Sequence, residues 1–414
     1  MIFRLAAKSL ANRKHSVMLT LLSLIVSISV LISVEHIRHQ AKESFNRTLS
    51  GTDLIVGARS GQLNLLLYTV FRIGAPTTNI SWRAVEQLER NKLVKWVVPI
   101  SLGDSHRGYR VLGTTPPYFE HYKYGNKQPL ELRNGEVFSS PFGAVVGYDV
   151  AKTLNYQVGD SISIAHGLGQ VSFTNHDQAP FTITGILAPT GTPVDKTIHI
   201  PLAGLDAVHM PPSALANFLE AGKSGQYPKL TPDSVTSALI GLKSKFATFK
   251  LQRNINTDKK EPMTAILPGV ALAELWQVLG GVENVLRVIA LLILVSSLLG
   301  LSTMLLASMR ERKAELAVLR AIGAGPSTIF LLIELEALML TIIAIASSFG
   351  LVSGLLWLSS DWLIENYGVF ISASVFTPTL GIAAAIVLGL SALVAAMPAI
   401  GAYRTTLQSG LTVR

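Results

Sequence analysis

The segment Asn217-Phe218-Leu219-Glu220-Ala221-Gly222-Lys223-Ser224 departs by one residue from G-x-x-x-x-G-K-[ST], a loop whose backbone N–H groups and lysine cradle nucleotide phosphates. Asn217 stands where the first glycine belongs, and the segment follows a helical pattern instead of a strand, so nucleotide binding is not expected here. Nine histidines are scattered along the chain, and His166, His176, Asp177, His199 and His209 fall in one stretch. None stands at i, i+4 or in H-E-x-x-H, the spacings that set two imidazoles on one helical face for a metal. They read as ordinary surface or strand histidines, and neither a metal nor another cofactor is expected on this chain. A G-x-S-x-G nucleophile elbow is lacking, as are catalytic pairs of Asp, Ser or His within the apolar runs, so the chain reads as noncatalytic.

The elements that must carry these residues are set by hydropathy. The chain has 414 residues, of which 15% are charged, too few for an ordinary soluble protein. Uncharged runs cover residues 17–34, 288–309, 337–360 and 379–400. Each is long enough for a helix to cross the hydrocarbon layer, which takes about 20 residues. The first run follows Arg4, Lys8, Arg13 and Lys14 as a secretory signal would, but it lacks an A-x-A cleavage pattern and leads into His36-Ile37-Arg38. An uncleaved anchor is therefore expected.

Lysine and arginine concentrate before the first run, at 310–320 and at 404–414, whereas the connection around Asp361 and Glu365 has none. By the positive-inside rule both termini and the second connection are cytoplasmic, and the large segment and the acidic connection are external. The net charge of +9 follows partly from this asymmetry and calls for no nucleic acid partner. The chain has no cysteine, so disulfides and thiolate metal sites are excluded. About 250 external residues suffice for a core without such staples.

The expected fold is that of an integral membrane α-helical protein with four transmembrane helices and a large extracytoplasmic α+β domain inserted between the first and second spans. Its parts are an amphipathic or basic cytoplasmic helix (1–16), the first span (17–35), the external domain with helical stalks (36–284) and the second span (285–309). A cytoplasmic helix (310–327), the third span (328–358), a short external connection (359–376), the fourth span (377–403) and a cytoplasmic tail (404–414) complete it. The stalks are read from two apolar stripes, Val34, Ile37, Ala41, Phe45 and Leu49, and Leu272, Leu275, Trp276, Leu279 and Val282. Between them, strand-like runs at 96–100, 109–112, 144–146, 161–165, 181–187 and 197–200 alternate with helical patterns at 81–90, 148–154, 213–221 and 245–253. Residues 210–233, rich in Pro, Gly, Ser and Lys, read as a mobile insertion or interdomain connection. The basic residues from 243 to 260 read as a solvated helix face. Gly350 and Gly354 form G-x-x-x-G, which lets helices approach closely and is expected to pack helices within the chain.

The most informative stretch is 310–325, Arg-Glu-Arg-Lys-Ala-Glu-Leu-Ala-Val-Leu-Arg-Ala-Ile-Gly-Ala-Gly. Its Ala- and Leu-rich, densely charged composition favours a helix, with Lys313, Leu316, Leu319 and Ile322 on one face. Gly323 suits a left-handed end to that helix, and Gly325-Pro326 suits the start of the next. A short, rigid helix joined directly to two spans can pass on force that a flexible loop would absorb.

This stretch resembles the cytoplasmic connection of FtsX-like (MacB/LolC-type, type VII) permeases of ABC transporters, R-x-x-E-[IL]-[GA]-[IV]-L-[RK]-A-[ILV]-G-A, at Arg312 and at every residue from Glu315 to Ala324. Glu336-Ala337 is similar to the family's Glu-Ala at the entry to the third span. Pro398-Ala399 with Ala402, Arg404 and Leu411 is similar to its terminal pattern, with Leu407 where proline is usual. Val145-Val146-Gly147, Val158-Gly159-Asp160, Gly185-Ile186-Leu187 and Thr190-Gly191-Thr192 resemble its external fold.

The resemblance implies that Arg312, Lys313, Glu315, Leu316, Leu319, Arg320, Ile322 and Gly323 dock on an ATPase. The implied partners are a cytosolic ABC ATPase dimer that uses ATP and Mg, a second permease chain in a homodimer, membrane lipids, and a periplasmic lipoprotein or adaptor. The expected function is a permease subunit that turns ATP hydrolysis by its partner into movement of the external domain, for export or extraction of a lipid-associated, peptide or lipoprotein cargo. Two alternatives are an ATP-driven regulator of an external cell-wall hydrolase and a membrane-anchored sensor or scaffold. The expected location is the bacterial cytoplasmic (inner) membrane.

Overall fold

The computed structural model describes residues 2–166, 178–223, 227–367 and 375–408; His176, Asp177, Ser224 and Leu411 lie outside them. The chain divides into two compact units. One comprises Met1–Gln40, Gly280–Asp361 and Ile371–Arg414, and the other Ala41–Leu279 and Trp362–Phe370.

The first unit is helical. Four helical stretches, Lys14–Glu43, Pro268–Glu311, Pro326–Ser359 and Pro378–Gly401, are long and apolar enough to cross a membrane. Each divides its apolar residues between two surroundings. Leu24, Ile28, Leu298, Leu301, Ala337, Leu340 and Val387 pack into one core between the helices. Leu19, Val26, Leu292, Leu299, Ile342, Leu355, Ile382 and Leu393 point outward, an apolar exterior that suits lipid and not water. Small hydroxyls join helices inside this core, where a polar group needs a partner. The Ser27 and Ser297 hydroxyls are hydrogen-bonded to each other, and Ser348 Oγ donates to the Ile25 carbonyl at 3.0 Å.

Two expectations for these helices change. No heavy atom lies within 4 Å of where a Cβ would sit on Gly350 or Gly354, so no neighbouring helix uses G-x-x-x-G for close approach among the described residues. The apolar stripes of the stalks hold only in part: Leu49, Leu272 and Leu275 are buried, but Ile37 and Val282 are exposed. Charges occupy the join instead: Glu35 Oε2 lies 3.0 Å from Arg287 Nη2, and Arg38 Nε lies 3.3 Å from Glu283 Oε2.

The second unit is built on an eleven-stranded mixed sheet. Its neighbours run Met263–Ile266, Leu54–Ala58, Ser237–Leu242, Val94–His106, Tyr109–Thr114, Thr197–Pro201, Gly143–Val146, Phe181–Leu187 and Leu132–Gly135. The short strands Ala165–His166 and Ser161–Ile162 pair with Val94–His106 and Phe181–Leu187. In chain order the strands lie between the helices Lys14–Arg47 and Pro268–Glu311.

Both faces of the sheet are covered. Leu54, Val56 and Ile240 enter one core with Val85, Leu88 and Leu251, while Ile55, Leu239 and Val98 enter another with Leu65, Tyr68 and Phe71. Such strands read as continuous apolar runs without alternation, which is why Leu54–Ala58, Ser237–Leu242 and Met263–Ile266 carry no clear strand signal. The long strand Val94–His106 serves both halves: residues 94–100 pair with Ser237–Leu242, and residues 101–106 with Tyr109–Thr114. The second pairing shifts register between Leu102 and Ser105, placing a bulge at Gly103-Asp104. Residues 210–233 are not simply an insertion, since the helix Pro212–Gly222 buries Leu215 and Phe218 in a core.

Candidate functional site

The segment that resembles a coupling element forms a separate helix. Pro268–Glu311 stops before Arg312, whose backbone (φ −100°, ψ 16°) is not helical, and Lys313–Ala321 follows as a nine-residue helix. It closes on Gly323 at φ +100°, where the Gly323 N–H donates to the Arg320 carbonyl at 2.9 Å and the Ala324 N–H to the Leu319 carbonyl at 3.0 Å. These two bonds are a Schellman cap, which satisfies the last carbonyls and reverses the chain. Pro326 opens the next helix, where its missing N–H costs nothing. The glycine and proline thus act as the sequence indicates.

Arg312 fixes the start of this helix to the body of the unit. Its Nε lies 2.7 Å from Glu315 Oε2 and its Nη1 2.8 Å from Glu336 Oε1. The Glu336 side chain is 1% exposed and also accepts from Ser9 Oγ at 2.5 Å and Arg13 Nη2 at 3.1 Å. Arg13 bonds Ser9 Oγ as well, at 2.9 Å. Arg13 interrupts the chain between the helices Ile2–Asn12 and Lys14–Arg47, as Arg312 does between its two helices. Two helix breaks therefore each aim one guanidinium at a single buried carboxylate. The charges alternate Glu315, Arg312, Glu336, Arg13, and every Glu336 oxygen has a charged donor, the condition under which a buried ionic group is tolerated.

The rest of the segment is presented outward. Val318 is 57% and Ile322 79% exposed, four residues apart on one helical face, and Glu315 is exposed beside them. Leu319 and Arg320 are half-buried, and Gly323 is exposed. The Lys313 and Leu316 side chains lie outside the description. Sequence reasoning missed Val318 as a surface residue, missed Ser9, and read Arg13 only as part of a basic flank. The Glu336-Ala337 pair was the available signal, but nothing in the sequence links it to residues more than 300 positions away.

In the sheet unit, Asn217 to Gly222 lie within the helix Pro212–Gly222 with Phe218 buried, so this stretch forms no phosphate-cradling loop. His199 is fully buried against Tyr118 and Phe119, and desolvation, reinforced by the Arg72 charge, pushes its pKa down to about 3. Asp195 accepts hydrogen bonds from Thr190 and Gly191, yet burial outweighs them and pushes its carboxyl up to about 6. The histidines that look scattered in sequence are partly gathered by the fold, because Asp104, His166 and His209 meet at the bulge.

Residues 17–253 match the model of the MacB-like periplasmic core domain, and residues 287–407 that of the FtsX-like permease C-terminal domain. No curated protein matches the chain in sequence. One similar solved structure is the periplasmic region of MacB from Actinobacillus actinomycetemcomitans, at 10% identity and a TM-score of 0.35, covering 55% of this chain and 94% of that one. The first family model spans more than half of the chain and the second its helical remainder, so the chain belongs to the FtsX/MacB-type permeases of ABC transporters, multi-pass proteins of the inner membrane.

Proposed function

We propose that this chain is the noncatalytic subunit that conveys the work of a partner ATPase dimer to an external domain, driving export or extraction of a lipid-associated, peptide or lipoprotein cargo. Both termini and the helix Lys313–Ala321 face the cytoplasm, and the sheet unit is the external domain inserted between the first and second spans. Two such chains pair with two ATPases, which bind ATP and Mg. Arg312, Lys313, Glu315, Leu316, Leu319, Arg320, Ile322 and Gly323, joined now by Val318, form the ATPase-facing element.

The observation that carries this reading is the bond from Arg312 to buried Glu336. It ties the start of an outward-facing helix to a long membrane helix and, through Arg13, to another. A push on Val318 or Ile322 therefore moves helices and is not absorbed by a loop. Lipid-facing exteriors with few polar groups on the spans favour a lipid-associated cargo over an ion or sugar.

Val318→Asp and Ile322→Asp test the reading, because both side chains are exposed and leave the Glu336 cluster untouched. Each variant should insert and melt as the parent does, within about 0.5 kcal/mol. Each should also lose co-purification with the partner ATPase and the ATP turnover of the complex in lipid. Unchanged association and turnover in both variants would refute the docking role.

A further inference from the structure

Three side chains able to ligate a metal converge in the sheet unit. Asp104 sits at the bulge of Val94–His106, a distortion that redirects a side chain out of the regular alternation. Its side chain is 4% exposed. His166 ends the edge strand Ala165–His166, paired in register with Asp104, and its Nδ1 lies 2.9 Å from Asp104 Oδ1. His209 caps the helix Leu202–Val208, and its Nε2 lies 3.6 Å from Asp104 Oδ2. One ligand-type atom from each of the three falls within 4.8 Å of the others.

We propose that Asp104, His166 and His209 form a Zn²⁺ site in this domain. Tetrahedral bonds of about 2.0–2.1 Å place neighbouring donor atoms roughly 3.3 Å apart, so these three need only small rotations to share one ion. Two imidazoles and one carboxylate suit a borderline-soft transition metal and not Mg²⁺ or Ca²⁺, which take oxygen donors. The supporting groups are also those of a metal site. His209 Nδ1–H donates to the Leu205 carbonyl at 2.6 Å, which fixes the ring so that Nε2 bears the lone pair aimed toward Asp104. One turn earlier on the same helix, Asp206 Oδ2 is buried with no hydrogen-bond partner among the described residues. Asp206 and Asp233 line the same cleft of about 630 Å³ and make it attractive to cations. With three protein ligands, the fourth position opens to this cleft, where water or a donor atom of a bound molecule completes the shell.

The site is tested on the full-length chain without a histidine tag, purified in detergent and stripped with chelator. ZnCl₂ is titrated alone and in excess MgCl₂ and CaCl₂ at neutral pH, with calorimetry and thermal unfolding as readouts. One equivalent of Zn²⁺ should bind per chain, unaffected by the other two ions, and raise the melting temperature. His166→Ala and His209→Ala, both at partly exposed positions, should each weaken binding by roughly tenfold or more and abolish the melting shift. His199→Gln, a histidine outside the cluster, should bind as the parent does. Absence of saturable Zn²⁺ binding, or parental affinity in either alanine variant, would overturn the proposal and leave the trio a histidine–carboxylate ion cluster.

Discussion

Arg312 Nη1 and Glu336 Oε1 lie 2.8 Å apart, joining the first residue after one long helix to a carboxylate inside the next. The pair is not isolated, because Arg13 reaches the other oxygen of the same carboxylate. Removing the carboxylate alone leaves two guanidiniums, each 12% exposed, turned toward one another without compensation. Removing all three charges leaves none stranded in the interior, since Glu315, which loses Arg312, is exposed.

Glu336→Gln should therefore destabilise the helical unit by about 3–5 kcal/mol, the cost of breaking a buried ion pair from one side. Replacing Arg13, Arg312 and Glu336 together by methionine should cost less than that single change. Thermal unfolding in detergent measures both. A triple variant less stable than Glu336→Gln would mean that the charges contribute through packing and not through mutual compensation.

The contact between Ser27 and Ser297 allows a direct test of how the first and second long helices pack. The chain has no cysteine, so Ser27→Cys with Ser297→Cys introduces the only two thiols. Their side-chain atoms already touch, within the reach a disulfide requires. Mild oxidation in membranes should close an intramolecular cross-link, seen as faster migration on a non-reducing gel. The control pair Ser27→Cys with Thr303→Cys, whose second site lies further along the helix, should stay reduced.

Much of this architecture was legible because it depends on local pattern. Runs of uncharged residues marked the four long helices, and Gly323 and Pro326 marked the ends of the helices beside them by their backbone preferences alone. Six strands with alternating or β-branched character were readable for the same reason. What stayed hidden depends on partners distant in sequence. Glu336 meets Ser9 and Arg13 across more than 300 residues, and Asp104 meets His209 only because a bulge turns it and a helix cap delivers the ring. Gly350 and Gly354 failed in the opposite direction: a local motif permits close helix approach, but the neighbouring helix decides whether it occurs.

The last prediction concerns acid and the sheet unit. An unfolded chain protonates His199 near its ordinary value of 6.5, whereas the folded domain refuses that proton until about pH 3. Between those values the unfolded state binds more protons, so His199 contributes stability that is present above 6.5 and is lost as pH falls. Asp195 acts with the opposite sign, because its carboxyl is raised from 3.8 to about 6 and the folded state holds the extra proton. Its contribution is present at low pH and is lost as pH rises through 6. In the parent the two slopes partly cancel between pH 4 and 6, which hides each from a simple acid titration. His199→Gln keeps an amide that can donate to the Val145 carbonyl but removes the titration. Relative to the parent, the variant should gain about 2 kcal/mol of stability between pH 7 and pH 5. Thermal unfolding of both chains at the two pH values gives that difference directly, independent of what the substitution costs at pH 7. Equal pH dependence in parent and variant would mean that the folded domain accepts the His199 proton after all, and that Arg72 and the aromatic wall do not exclude it.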